Sequence, residues 1–100
     1  MIRAVFADKE ITVQGHAGYA PKGQDIVCAA VSALVYALIA ALEERDNLRE
    51  TVIRTGYAAI RAKEKDTAFD VIRGGLRQIA ARYPAYMTVE TGAETKGGKS

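Results

Sequence analysis

The chain has 100 residues, of which 49% are hydrophobic, so it can bury one core but is too short for a second domain. Its 14 basic and 12 acidic residues leave a net charge of +2, which is too mild for a typical nucleic-acid reader, and we expect no direct nucleic-acid partner. A single cysteine excludes an internal disulfide.

The first fifteen residues predict two short strands. Apolar residues recur at every second position, as they do in a half-buried strand. They are Ile2, Ala4, Phe6, Ile11 and Val13. Asp8, Lys9 and Glu10 form the polar turn between the strands. They also stand where a secretory signal would carry its apolar region, so we expect the protein to be cytoplasmic.

A long helix is predicted next, capped by Asp25 and running to about Arg45. The uncharged stretch from Ile26 to Leu42 has 17 residues, whereas a membrane span needs about 20, so we interpret it as a buried helix and expect no membrane partner. Large apolar residues follow one stripe and alanines follow another. Because such a helix needs cover on both sides, its second side requires another helix, a partner subunit, or both.

The second half of the chain predicts two strands, a helix and a last strand. The strands cover residues 47–54 and 57–64, joined by a turn at Thr55 and Gly56. The helix begins at Asp66 or Thr67 and ends before Pro84. Gly74 and Gly75 interrupt it, and we attribute them to close approach to the alanine stripe of the first helix. Residues 85–91 supply the last strand.

This order, strand, strand, helix, strand, strand, helix, strand, predicts an α+β two-layer sandwich. Both helices would lie on one face of a largely antiparallel sheet. The domain would span residues 1–91, and residues 92–100, which have no apolar face, would form a flexible tail.

The chemistry of the sequence concentrates at His16 and Cys28, the only histidine and the only cysteine. The dipole at a helix start favours a thiolate by only about 0.3–1 kcal/mol. An imidazolium about 4 Å from the sulfur would contribute up to about 4 kcal/mol at an effective dielectric of about 20. A folded-back loop would therefore make a thiolate–imidazolium pair, and the backbone N–H groups of Val27 and Cys28 would hold an oxyanion.

The same residues also have structural explanations that involve no catalysis. A cysteine is often a small buried apolar residue, and a lone histidine is often only a hydrogen-bonding group. Asp25 is better explained as a helix cap than as a third catalytic member, and the Ser32 hydroxyl could simply bond back to the Cys28 carbonyl. A phosphate loop is excluded because Gln24 and Asp25 stand where Lys and Ser or Thr are required. A zinc site needs more ligands than one Cys and one His.

The stretch GHAGYAPKGQDIVCAAVSALVYAL, residues 15–38, also resembles the signature of the ribosomal-processing cysteine protease family Prp. The matching parts are the GHA triplet, a loop ending in G-x-D, and the run IVCAAVSAL. The predicted element order fits the same family over about residues 1–91. The resemblance implies a plait-like α+β fold, a homodimer, and a cytoplasmic cysteine endopeptidase. This endopeptidase would remove the N-terminal extension of a large-subunit ribosomal protein, the twenty-seventh of the L series. It would need no cofactor.

The resemblance also assigns roles to residues. It makes Cys28 the nucleophile and His16 its base, and it gives supporting roles to Gly15, Asp25 and Ser32. The loop would be a movable cover over a substrate groove, although glycine and proline could equally make a plain surface loop. The loop residues are Gly18, Tyr19, Ala20, Pro21 and Gly23.

The alternative function is a non-catalytic dimeric module that binds a ribosomal protein or RNA, with an inert buried Cys28. Its RNA contacts would be Lys63, Arg73, Arg77 and Arg82, although scattered surface charges are usually only solvated.

Overall fold

A computed structural model of the chain describes residues 1–21 and 24–92, which form five strands and two helices in the predicted order. The strands are β1 (Ile2–Ala7), β2 (Glu10–Gln14), β3 (Leu48–Arg54), β4 (Tyr57–Ala62) and β5 (Met87–Thr91), and the helices are α1 (Ile26–Glu44) and α2 (Ala68–Arg82). The strands form one sheet in the order β3-β4-β2-β1-β5. Strands β1 and β5 pair in parallel and the other neighbours are antiparallel, so the predicted α+β sandwich is confirmed.

The core lies between the helices and one face of the sheet. Alternate residues of β1 are buried, because successive side chains of a strand point to opposite faces. The largest fully buried side chains are Phe6, Ile11, Val27, Leu38, Leu42, Ile60, Leu76 and Met87. The other face of the sheet carries exposed ion pairs between neighbouring strands, such as Arg3 with Glu90 at 2.7 Å. The alternation of apolar residues in the strands therefore determines which face of the sheet the helices cover.

Helix α1 is covered on one side only. By length and composition it could cross a membrane, but five of its residues belong to the core. They are Val27, Val31, Val35, Leu38 and Leu42. On its other side Tyr36 is 59% exposed, and Ala29, Ala33, Ala37 and Ala40 are exposed with it. The apolar face that the sequence predicted would need cover is thus left open in the single chain, and we call this set of five residues the open face of α1.

The two glycines of α2 differ in their surroundings. A Cβ atom on Gly75 would lie 2.9 Å from Cδ1 of Leu34, whereas a Cβ on Gly74 would have no atom within 4 Å. Close approach to α1 therefore explains Gly75 alone, and its neighbour there is Leu34, a large residue, and not the alanine stripe that we predicted.

This difference predicts a stabilising substitution. Gly74→Ala should raise the free energy of unfolding by about 0.5–1 kcal/mol, because glycine costs that much relative to alanine in a helix interior. Gly75→Ala should gain less, since its methyl group must displace the end of Leu34. Denaturant titration of both variants measures the two changes. Equal gains at both positions would contradict the packing described for Gly75.

Helix α2 begins on the carboxylate of Asp66 rather than on Thr67. The Ala68 N–H donates to Asp66 Oδ1 at 2.9 Å, and Thr67 makes no capping bond with its side chain. Arg45 and Asn47 also donate to the Asp66 carboxylate, at 2.7 and 3.2 Å. The Ala68 N–H is the main cause that lowers the pKa of Asp66, with smaller contributions from Asn47 and Arg45, against the opposing effect of burial.

The lowered pKa of Asp66 predicts an acid-sensitive contribution to stability. The unfolded chain binds a proton at a higher pH than the native carboxyl does, so the contribution is present above about pH 4 and is lost as pH falls further. At pH 7, Asp66→Asn should lower the free energy of unfolding by about 1–2 kcal/mol, and the difference should shrink towards pH 3. Asp8→Asn, at a side chain that is 66% exposed, is the matched control and should change it by less than about 0.5 kcal/mol. A pH-independent loss at Asp66 would refute the linkage.

The predicted C-terminal boundary lies close to the end of β5. The Gly92 N–H donates to the Phe6 carbonyl at 3.0 Å, so pairing with β1 continues to that residue. The rest of the predicted tail, residues 93–100, lies outside the described residues, and the tail stays a prediction.

Candidate active site

His16 leaves the end of β2 through a constrained turn. Gly15 has φ +94°, and a Cβ atom there would collide with the carbonyl oxygen of Met1. Its N–H donates to the carbonyl of Gly56 at 2.9 Å. Gly15 is therefore the residue that lets the chain pass the N-terminus of β1 and present His16, which is exposed, beside the turn between β3 and β4.

Cys28 lies in the first turn of α1, as predicted, and its side chain is half-buried. The backbone N–H of Ala17 donates to its Sγ atom at 3.4 Å. Ala17 is buried, at 5% exposure, so the residue after His16 is packed against the helix that carries the thiol. The loop that carries His16 therefore places a backbone donor directly beside the sulfur.

Asp25 caps α1, as the sequence predicted. Its Oδ1 atom accepts the N–H groups of Val27 and Cys28, both at 3.0 Å, and its Oδ2 atom accepts the Tyr19 N–H at 3.1 Å. The bond from the Cys28 N–H is the largest of the causes that lower the pKa of Asp25. The carboxylate thus ties the helix start to the loop that precedes it.

The same bonds correct one prediction. We expected the N–H groups of Val27 and Cys28 to be free for an oxyanion, but both already donate to Asp25. Extended backbone at Asp25, with φ −82° and ψ 100°, places its carboxylate over the first turn of the helix. An oxyanion at those two amides would have to displace a carboxylate of its own charge.

Ser32 lies one turn after Cys28 and is exposed. The expected bond from its hydroxyl to the Cys28 carbonyl is not formed, and within residues 1–21 and 24–92 its side chain has no hydrogen-bond partner. Ser32 lines two cavities together with His16 and Cys28.

These two cavities meet at Cys28. One has a volume of about 210 Å³ and mostly apolar walls, which include Val13, Val31, Val35, Ile53 and Ala58. The other has a volume of about 570 Å³ and is lined by Gly18, Ala20, Asp25, Ala29 and Thr55 together with the three shared residues. A peptide bound at Cys28 would therefore have two adjoining spaces available to it.

The structure brings His16 and Cys28 to one cleft without joining them. Both side chains line both cavities. No hydrogen bond connects them in the part of the chain that the structure describes. The predicted proton transfer between them therefore stays a prediction.

Several lining residues come from the β3–β4 hairpin, which the sequence did not single out. Arg54 lies over the ring of Tyr57, with its guanidinium carbon 4.7 Å from the ring centroid, and both residues line the apolar cavity. The predicted Thr55 and Gly56 turn is the only signal that pointed here, because it sets where the hairpin ends. Nothing in the sequence showed that this end would lie opposite Cys28.

The first part of the loop between His16 and Cys28, up to Pro21, docks through an aromatic cluster. The Tyr19 ring packs edge-on against the rings of Tyr83 and Tyr86, with centroid separations of 5.6 and 5.3 Å. Gly18, Ala20 and Pro21 are described, and the first two line the larger cavity. Gly23, the last residue of the predicted cover, lies outside the described residues.

The described residues contain no cluster of side chains that could bind a metal ion. Among residues 1–21 and 24–92 no three His, Cys, Asp or Glu side chains come close enough to hold an ion.

The open cleft of this two-layer α+β fold thus holds a cysteine at a helix start and a histidine, the two side chains that a thiol hydrolase uses. The sequence profile of the cysteine protease Prp family matches residues 1–88, and the chain belongs to that family. The chain is a cysteine protease, which sets aside the non-catalytic alternative.

Known relatives agree with the match. The chain is 31% identical over 94 residues to the ribosomal processing cysteine protease Prp of Mycoplasma pneumoniae, an alignment that covers 90% of this chain and 94% of the relative. The Mycoplasma genitalium protein of the same name is 33% identical over 95 residues, covering 89% and 94%. Both relatives therefore match along nearly their whole length.

A solved structure has the same fold. It is the essential ribosomal processing protease Prp from S. aureus, in complex with a covalently linked product peptide. It superposes with a TM-score of 0.82 at 21% identity, covering 91% of this chain and 99% of that one.

Proposed function

We propose that this protease cuts the N-terminal extension from a large-subunit ribosomal protein, the twenty-seventh of the L series, with Cys28 as nucleophile and His16 as acid and base. The observation that carries the proposal is the shared cleft, in which Cys28, His16 and Ser32 line both cavities. The names of the relatives, which are ribosomal processing proteases, support the substrate.

In the proposed reaction the Cys28 thiolate attacks the carbonyl carbon of the scissile bond and the carbonyl oxygen becomes an oxyanion. His16, as imidazolium, gives its proton to the leaving nitrogen. The amine product then departs, and the acyl part of the substrate stays bonded to Cys28 as a thioester. Neutral His16 then takes a proton from water, whose oxygen attacks the thioester. The thiolate and the imidazolium are restored, so no cofactor is consumed.

The oxyanion needs a donor other than the amides that Asp25 occupies. The Ala17 N–H already points at Cys28 Sγ, at 3.4 Å, and is not bonded to Asp25. Once the sulfur is bonded to carbon, this amide is a donor beside the developing charge. Gly15 and Asp25 support the site indirectly, the first by presenting His16 and the second by fixing the helix start.

The apolar cavity favours an apolar substrate residue next to the scissile bond. Its walls of Val31, Val35 and Ile53 offer no charged group to such a side chain, and burial of a large apolar side chain is worth about 1.5–3 kcal/mol. Arg54 and Tyr57 supply the polar part of the same wall. The open larger cavity would receive the other side of the chain.

The substrate experiment uses the extended ribosomal protein and its mature form lacking the extension. We expect one cut in the extended protein, seen by mass spectrometry as loss of the extension, and none in the mature form. Cuts in both proteins at unrelated sites, or no cut in either, would contradict the proposed specificity.

Alkylation of Cys28 against pH tests the thiolate–imidazolium pair without a substrate. A pair predicts fast alkylation already below neutral pH, because the thiolate is the reactive form. An alkylation rate that rises only near about pH 8.5, where an ordinary thiol ionises, would exclude the pair.

We propose that the loop from Gly18 to Gly23 covers the bound substrate. The packing of Tyr19 on Tyr83 and Tyr86 gives the described part of the loop, up to Pro21, a defined docked position beside the larger cavity. Replacement of both Gly18 and Gly23 by alanine should lower turnover and leave the fold intact. Unchanged kinetics would reject the cover.

We also propose a homodimer in the cytoplasm. Away from the cleft, the open face of α1 at Ala33, Ala37 and Ala40 is apolar and lacks cover in the single chain, which supports a second copy as its partner. Tyr36→Glu should shift sedimentation from dimer to monomer if this face is the interface. A cell fractionation experiment tests the compartment.

A further inference from the structure

Gly56, at the turn between β3 and β4, lies directly against the imidazole of His16. A Cβ atom built on Gly56 would be 2.8 Å from Nε2, 3.3 Å from Cε1 and 3.5 Å from Cδ2 of His16. Contacts below about 3 Å essentially do not occur for real Cβ atoms, so any L side chain at this position would push the ring. The imidazole occupies space that exists because residue 56 has no side chain.

Backbone pairing restricts how such a clash could be relieved. The Gly15 N–H donates to the Gly56 carbonyl at 2.9 Å, and Gln14 pairs with Tyr57 in the register of β2 and β4. The two residues before His16 are therefore held to Gly56 and Tyr57 by backbone pairing. A methyl group at residue 56 must be accommodated by rotation of the His16 ring, since the two backbones are held together.

Rotation of that ring changes the cleft. Gly56 and His16 line the apolar cavity together with Cys28, so the ring moves within the space where the sulfur and the substrate meet. Misplacement of a reacting group by about 1 Å can cost about 100-fold in rate. Gly56 supplies no reacting group of its own, and its effect passes through His16.

We infer that Gly56 is a positioning residue for His16, and that its missing side chain fixes where the imidazole stands relative to Cys28. This inference rests on the proposed function, because it takes His16 to be the acid and base. It adds a third residue to the machinery, from a hairpin about forty positions away in sequence.

The test compares the two mirror-image alanines at residue 56 in chemically synthesised protein. L-Alanine places its methyl against His16, whereas D-alanine places it on the other side of Cα and tolerates the positive φ of +72°. We expect the Gly56→Ala protein to cleave the extended ribosomal protein about 10- to 100-fold more slowly in kcat than the D-alanine protein, with KM within about twofold. Equal kcat values for the two proteins would overturn the inference.

A second variant separates this effect from backbone strain. Asparagine adopts positive φ more readily than alanine but still carries a Cβ atom, so Gly56→Asn should show a similar loss in kcat with less loss of stability. If only Gly56→Ala loses activity, in proportion to its unfolding midpoint, strain is the cause and the inference fails.

Coupling to His16 is measured by alkylation of Cys28, which requires no substrate. Gly56→Ala should change the pH profile of the alkylation rate when His16 is present, and should change nothing in the His16→Ala background. An equal change in both backgrounds would show that Gly56 acts elsewhere. If the wild-type protein fails to cleave the extended ribosomal protein, the proposed function fails, whereas the alkylation coupling still decides the role of Gly56.

Discussion

Cys28→Ala should reduce cleavage of the extended ribosomal protein by about 10⁴-fold or more, the loss seen when the nucleophile of a covalent protease is removed. The reason is chemical, because alanine cannot form the thioester. The first-order rate of product formation, followed by mass spectrometry with the enzyme in excess, measures the loss directly.

The control for this loss of activity is a measurement of whether the variant still folds. Cys28 is only half-buried, so removal of its sulfur should leave the unfolding midpoint and the circular dichroism spectrum close to those of the wild-type protein. His16→Ala should also lower the rate, but by less, because the thiol remains and can still be ionised by base. Cleavage by Cys28→Ala at the wild-type rate would remove this residue from the mechanism.

The order and bounds of the secondary structure could be predicted from local patterns. Period-two alternation marked β1 and β2, and the uncharged run after Asp25 marked α1, which ends at Glu44, one residue before the predicted Arg45. These features depend on residues close in sequence, for which pattern and propensity carry the information. The order of the strands within the sheet was not predicted, because it depends on pairing between strands that are distant in sequence, such as β2 with β4.

The detailed site could not be predicted, because it depends on contacts between distant residues. Two of our predictions were incompatible: once the Asp25 carboxylate caps α1, the amides of Val27 and Cys28 are no longer available. The place of His16 beside Gly56 depends on how β2 and β4 pair, and no local pattern encodes that distance. The aromatic cluster at Tyr19 likewise joins residues more than sixty positions apart.

The site and the core share one helix. The buried side of α1 packs in the core while its first turn carries Cys28, and Val31 and Val35 are both core residues and walls of the apolar cavity. Substitutions in this region therefore affect stability and substrate binding together. A clean measurement of core stability needs a position on the other helix.

Leu76→Ala should lower the free energy of unfolding by about 2–5 kcal/mol, the range for removal of a buried leucine side chain. Leu76 is fully buried, at 0% exposure, on the side of α2 that enters the core. Removal of its methyl groups reduces the buried apolar area and leaves a cavity that neighbouring side chains fill only in part. At about 4–8 °C per kcal/mol for a domain of this size, the thermal midpoint should fall by about 8–40 °C.

Val71→Ala is the matched control on the same helix, because Val71 is 72% exposed. It removes apolar carbon from a helical position with almost no packing to lose, and alanine has the higher helix propensity, so the change should stay within about 0.5 kcal/mol. The contrast between the two variants isolates burial from helix propensity. Comparable losses at Leu76 and Val71 would mean that α2 does not pack on the sheet as described.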